Sequence, residues 1–256
     1  MSSANESQAA ASLTLLSQTC ALSIAALKTN PAAQQLPLSA LRTDLISILS
    51  VIYSNTTKLS IALNPSNPTY SAATTPLKDL ITHSSTLASN ASSFIPNVHG
   101  RALTAEVHST ATDILTALQE LAHAHLSLLI NPPSKDDTAV PRSSSDTYLA
   151  KTGVVHELIT QAKADHPKGL SRTNLIAVRR RWREHSEIVA DAAATLETEA
   201  FPPNDDDDDN DDDFDFDDGW DDPELGLALP GKLSPEQVEL AKNVRTRSPY
   251  SPQPDF

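Results

Sequence analysis

Four arginines around one tryptophan form the densest group of side chains that could bind a ligand. The group consists of Arg179, Arg180, Arg181, Trp182 and Arg183. Guanidinium groups bind phosphates and carboxylates, and an indole beside them adds a flat apolar contact. Consecutive arginines spread over much of a helix circumference, so the cluster predicts a candidate interaction site without identifying its ligand. Two interpretations remain open. The arginines either form a solvated face paired with Glu184 and Glu187, or they form a nuclear-import or phosphate-binding patch.

The opposite charge is concentrated in residues 205–224, DDDDDNDDDFDFDDGWDDPE. Their carboxylates account for the entire net charge of −14, so the rest of the chain is electrically balanced. Such dense like charge cannot be buried, which predicts a disordered, solvated linker. Phe214, Phe216 and Trp220 interleave with the acids and are candidate contacts for a basic partner. Two alternatives are a purely solubilising linker and an intramolecular gate that folds back over the arginines.

The sequence gives little support for catalysis or for a bound cofactor. Its six glycines are scattered and form neither a phosphate loop nor a dinucleotide fingerprint. His123 and His125 are two residues apart, which points them to different sides of a helix, and no Glu-x-x-His set recurs on two helices. The single Cys20 lies in an Ala/Leu/Ser stretch typical of a small core hydrophobe. We therefore expect a non-enzymatic protein with no cofactor and no metal.

Apolar residues recur every three or four positions through most of the first 200 residues, which predicts amphipathic helices. The predicted helices span about 7–28, 38–63, 75–95, 103–129, 148–162 and 171–196, with Thr75-Pro76 opening the third and Ser171 capping the last. Alternating runs of strand length are missing from the sequence. Long helices joined by short proline-bearing turns predict an all-α, up-and-down antiparallel helical bundle.

The predicted domain organisation has three parts. The bundle occupies 1–203 and includes a flexible loop at about 131–147, the acidic linker occupies 204–232, and 233–256 holds a helix start followed by a disordered tail. Leu233-Ser234-Pro235-Glu236 supplies that helix start, with Ser234 as cap. In the tail, Ser248 and Ser251 each precede a proline and are candidate phosphorylation sites. The N-terminus predicts neither a signal peptide nor a membrane span.

Two motifs make the chain resemble fungal members of the cyclin-D-binding protein family, often called GCIP. They are Asp213-Phe214-Asp215-Phe216-Asp217-Asp218-Gly219-Trp220 and Leu233-Ser234-Pro235-Glu236, in that order after a helical region. The resemblance implies an all-α fold whose bundle is similar to those of vinculin and catenin. Animal members bind D-type cyclins and helix-loop-helix regulators and restrain cell-cycle progression. The family continues with further C-terminal helices, so a chain truncated at its C-terminus is expected.

Two function hypotheses follow from these observations. The favoured one is a protein–protein interaction adaptor of the cytoplasm and nucleus, whose partners are cyclin-like or helix-loop-helix proteins rather than membranes or nucleic acid. The alternative is a nucleic-acid-associated or chromatin-associated protein with an acidic, histone-binding tail. A pull-down with and without nuclease separates the two hypotheses, because partners held through nucleic acid are lost after digestion.

Overall fold

A computed structural model describes residues 2–29, 36–130, 143–164 and 169–200. The helices are α1 (Ser2–Leu27), α2 (Leu38–Ala62), α3 (Tyr70–Ser92), α4 (Pro96–His99), α5 (Arg101–Ile130), α6 (Ser143–Lys163) and α7 (Asn174–Ala200). The described ranges contain no strand, and the predicted all-α bundle is confirmed. The chain divides into two compact units, Met1–Trp182 and Arg183–Phe256. In the second unit the described residues are those of α7 from Arg183 onward.

Five long helices of the first unit pack side by side in a closed ring, in the order α1, α3, α2, α6, α5 and back to α1. Their directions alternate along the chain, as an up-and-down bundle requires. A ring with an odd number of members cannot have antiparallel neighbours throughout. The parallel pair is α1 and α3, whose C-terminal halves line one cleft together. Between α2 and α6, by contrast, Ser60 bonds Thr152 and Lys163 bonds Ser50, which is an antiparallel order.

The core inside this ring is built largely from leucine. Fully buried side chains include Leu13, Leu16, Leu41, Leu49, Leu59, Leu77, Leu80, Leu87, Leu103 and Phe94. Burying one such side chain contributes about 1.5–3 kcal/mol to the free energy of unfolding. The leucines that the three-and-four spacing places on the inner faces are therefore a main source of the stability of the ring. Leu13 on α1 and Leu103 on α5 belong to the three-and-four spacing of apolar residues, and both are buried.

Four predicted helix starts were wrong, and the first is that of α1, which begins at Ser2 rather than at about residue 7. Helix α3 begins at Tyr70, and Pro76 lies inside it, because burying Ala73 and Pro76 outweighs the one backbone hydrogen bond that proline cannot make. Helix α7 is capped by Thr173, whose Oγ1 accepts from the Ile176 N–H at 3.4 Å, rather than by Ser171. Helix α6 begins at Ser143, inside the segment 131–147 that was expected to form a loop.

Two helices are long and apolar enough to cross a membrane, judged by length and composition alone. They cover Ala4–Leu27, with a mean hydropathy of 1.5, and Leu38–Ala62, with 1.2. A helix buried in the core of a bundle passes the same criterion, and half of the apolar window of α2 is buried among its neighbours. The expectation that the chain has no membrane span therefore stays a prediction.

Candidate interaction surface

The part of α7 that belongs to the first unit is attached to the bundle by Arg180. Its Nη1 lies 2.7 Å from Oε1 of Glu106 on α5, and its Nη2 donates to the carbonyl of Gly169. The same Glu106 oxygen accepts the backbone N–H of Ser171 at 2.8 Å. Ala177, three residues before Arg180, is buried on the same side of the helix. Arg180 therefore belongs to the inward face of α7 and has its charge compensated by Glu106.

The opposite face of α7 exposes large apolar side chains. Leu175, Val178 and Trp182 are three and then four residues apart, so they form one stripe, and the Trp182 side chain is 61% exposed. Arg179 and Arg181 are exposed on either side of this stripe. These five residues are called the Trp182 surface. It presents an aromatic and aliphatic centre with a cationic rim, a composition enriched in protein–protein interfaces.

The structure thus separates the predicted arginine cluster into two sets. Arg179 and Arg181 share the outward surface with Trp182, whereas Arg180 points toward α5. Arg183, the first residue of the second unit, is exposed. The remaining candidates, Phe214, Phe216, Trp220, Ser248 and Ser251, lie outside the described residues, as does the acidic segment proposed as a gate.

Sequence reasoning missed the two residues that position the start of α7. Glu106 on α5 is largely buried against Arg180. Asn174 Oδ1 accepts the backbone N–H groups of Ala102 and Leu103, at 3.1 and 3.2 Å, so it caps the first turn of α5 from another helix. A Thr-Asn pair ahead of an apolar helix indicates an N-cap for that helix. It gives no sign that Asn174 caps a different helix, α5.

His125 and Cys20 are titratable side chains of the core. Burial lowers the pKa of His125 to about 4, and its ring lies against Tyr148 with centroids 5.2 Å apart. Burial also raises the pKa of the Cys20 thiol to about 11, which makes it a poor nucleophile. His123, which bonds Ser17 at 2.9 Å, and His108, which bonds the Ala91 carbonyl at 3.0 Å, link neighbouring helices.

Clefts between the described helices of the first unit include a larger and a smaller one. The larger, about 600 Å³, runs between the C-terminal halves of α1 and α3 and is lined by Leu22 and by serine, threonine and alanine side chains. The smaller, about 170 Å³, adjoins the Glu106–Arg180 ion pair. Within the described ranges no three histidine, cysteine or carboxylate side chains are grouped so that they could hold a metal ion.

The described helices thus define an all-α helical-bundle protein with an exposed Trp/Arg face. A family model described as "Grap2 and cyclin-D-interacting, N-terminal" matches residues 44–198. The chain belongs to this family, and the match includes Glu106, Asn174 and the whole Trp182 surface. Comparison with curated proteins and with solved structures returned no match.

Proposed function

We propose that this protein is a non-enzymatic adaptor that binds a cyclin-like or helix-loop-helix protein through the Trp182 surface, in the cytoplasm and nucleus. Membership of the cyclin-D-interacting family supports the class of partner. The observation that supports the site is the exposed stripe of Leu175, Val178 and Trp182 between two arginines. A contiguous stripe of large apolar side chains exposed on a helix face is typical of a protein interaction site.

The chemistry of the Trp182 surface specifies a kind of complementary site. Tryptophan and arginine dominate the energetics of interfaces, because each covers a large area and loses little rotamer freedom for the contacts it makes. Arg179 and Arg181 favour an acidic rim around an apolar groove on the partner. Recognition then follows the helix-in-groove mode, in which residues at i, i+3 and i+7 are the anchors.

Binding of the full chain to a purified D-type cyclin and to a helix-loop-helix protein, measured by calorimetry, tests the proposal. Trp182→Ala should weaken one of the two complexes by about 30-fold, the loss expected for a hot-spot residue. Ile61→Ala is the matched control, since Ile61 is 71% exposed on α2, away from the surface, and should leave the affinity unchanged. Equal affinity for Trp182→Ala and wild type would disprove the site.

The nucleic-acid alternative gives a different result in a pull-down. If the protein is an adaptor, its captured partners survive nuclease treatment, and Trp182→Ala reduces them. If nucleic acid is the ligand, nuclease removes the partners, and the interaction weakens steeply with salt because counterions are released from phosphates. Arg179→Glu should weaken binding to either a protein or a nucleic acid, because it reverses a charge. Trp182→Ala leaves the charge unchanged, so it is the variant that discriminates between the two hypotheses.

A further inference from the structure

The helices α2, α5 and α7 begin at the same end of the bundle. The Nε2–H of His99, at the end of α4, donates to the Leu36 carbonyl at 3.0 Å and so places the start of α2 beside the start of α5. Asn174, the first residue of α7, caps the first turn of α5. The N-terminus of a helix carries a partial positive charge, so the three starts together favour negatively charged groups at this end.

An arginine accompanies each of these three helix starts. Arg42 lies in the second turn of α2, Arg101 is the first residue of α5, and Arg172 precedes α7 by two residues. Arg42 and Arg172 are close enough for their like charges to interact. Arg101 directly follows Gly100, against which Asn174 packs. Arg42, Arg101 and Arg172 are called the basic pole.

Positive charge exceeds negative charge among the described residues around the basic pole. The carboxylate of Glu106 acts on Arg42, but its Oε1 is already bonded by Arg180 Nη1 at 2.7 Å and by the Ser171 N–H at 2.8 Å. Asp44, two residues after Arg42, points to another side of α2. Burial and the like charge of the neighbouring arginine lower the pKa of Arg42. A bound anion would offset both effects, because it stabilises the charged guanidinium.

A buried hydroxyl group adjoins the basic pole. Ser171, next to Arg172 in the chain, is 1% exposed, and its Oγ has no hydrogen-bond partner within the described residues. Its backbone N–H, by contrast, is held by Glu106. Buried polar atoms nearly always have a partner, so this hydroxyl is an independent sign that this end of the bundle binds a polar ligand.

We propose that the basic pole binds a phosphorylated serine or threonine side chain of a partner protein. A phosphate monoester carries a charge of about −1.5 to −2 and has three acceptor oxygens, which suits several arginines at one end of a bundle. Guanidinium groups bind such oxygens in pairs, so arginines match this ligand better than lysines do. The three arginines come from separate elements, whereas a nucleic-acid backbone is bound along an extended basic stripe. They lie outside the Trp182 surface, so the proposal does not depend on that site.

Titration of the isotope-labelled full chain with an alanine heptapeptide that carries one central phosphoserine, followed by NMR, tests the proposal. The amide signals of Arg101 and Asn174 should shift, and the unphosphorylated peptide should leave them in place. Arg42→Gln and Arg172→Gln should each raise the dissociation constant about 10-fold, the loss expected for one hydrogen bond to a charged group. Lys58→Gln is the matched control, because it removes the same charge from an exposed position on α2, about 24 Å along the helix from Arg42. Circular dichroism verifies that the variants fold.

Competing ligands distinguish a phosphorylated protein from other sources of phosphate. A short DNA duplex and vesicles that contain a phosphoinositide are titrated in the same way. If either one binds more tightly than the phosphopeptide and loses this binding in Arg42→Gln, the basic pole is a site for nucleic acid or for a membrane, and the proposal is overturned. Equal shifts with the two peptides, or equal losses of affinity in Arg42→Gln and Lys58→Gln, would overturn it as well.

Discussion

The side chain of Asn174 occupies the space that a β-carbon on Gly100 would need. Gly100 has a φ of +94°, and it directly precedes α5, whose first turn Asn174 caps. Only glycine combines that backbone conformation with the close approach of a side chain. The start of α7 and the start of α5 therefore depend on each other through these two residues.

Gly100→Ala should destabilise the bundle by about 1–3 kcal/mol, because the new methyl group is strained at positive φ and collides with Asn174. Gly153→Ala is the control. Gly153 lies within α6 with open space around its Cα, so alanine there should raise the free energy of unfolding by about 0.5–1 kcal/mol. Urea denaturation measures both. A loss of stability at Gly153 as large as that at Gly100 would contradict the assignment.

Asn174→Ala should lower the free energy of unfolding by about 1 kcal/mol, since the N–H groups of Ala102 and Leu103 lose their acceptor. Asn174→Asp keeps an acceptor oxygen and places a negative charge at the N-terminus of α5, so it should retain most of the stability. Amide exchange at Ala102 and Leu103 provides a local readout. Unchanged exchange at these two amides in Asn174→Ala would refute the capping role.

How far the sequence predicts this fold is best seen on α5 and α7. The spacing of Leu103 and the other apolar residues of α5 predicts its buried face, since periodicity is a local property. Glu106 and Glu120 lie on the same helix, yet only Glu106 is held in a largely buried ion pair. Which carboxylate meets an arginine depends on how α7 returns to the bundle, a long-range contact that no local pattern contains.

The same limit applies to the candidate interaction surface. Sequence patterning correctly predicted a helix around Trp182, but the spacing of its apolar residues does not tell that Leu175, Val178 and Trp182 are all exposed. It also grouped Arg180 with Arg179, although only Arg180 points toward Glu106. A one-residue step turns a side chain by about a quarter of the helix circumference. The separation is therefore set by the rotation of α7 against the bundle.

Acid should destabilise the first unit through His125. The pKa of this ring is about 4 in the folded protein, against 6.5 for an ordinary histidine, so the unfolded chain binds more protons between those values. Stability is complete above pH 6.5 and falls as the pH drops toward 4, by about 3 kcal/mol from this residue. Burial lowers the pKa of His156 as well, which adds a change of the same sign.

His125→Phe tests this prediction because it keeps an aromatic ring against Tyr148 and removes the titrating group. Its free energy of unfolding should depend less steeply on pH between 6.5 and 4 than that of the wild type. Ile61→Ala, at an exposed position on α2 with no titratable group, is the control and should leave the slope unchanged. Identical slopes for His125→Phe and wild type would refute the prediction.

Arg180→Ala should destabilise more than Lys151→Ala, although each removes one ion pair. Arg180 and Glu106 are largely buried, and the loss of the arginine leaves a carboxylate that is poorly solvated, at a cost of about 1–3 kcal/mol. Lys151 and Glu120 are 2.6 Å apart but exposed, so water replaces the lost partner and the change should stay below about 1 kcal/mol. Equal losses in chemical denaturation would contradict this reasoning.

Cys20 should report on opening of the parallel pair α1 and α3. Its thiol is fully buried with a pKa of about 11, and its Sγ lies 3.7 Å from Ser84 Oγ on α3. A thiol reagent needs both access and a thiolate, so native protein should react orders of magnitude more slowly than unfolded protein.

Leu13→Ala creates a cavity in the same helix face and should accelerate labelling of Cys20 through more frequent opening. The conservative variant Ser84→Ala should leave the native rate low, because burial rather than the Ser84 contact raises the pKa. Rapid labelling of the wild type under native conditions would show that α1 separates from α3 far more often than a closed ring permits.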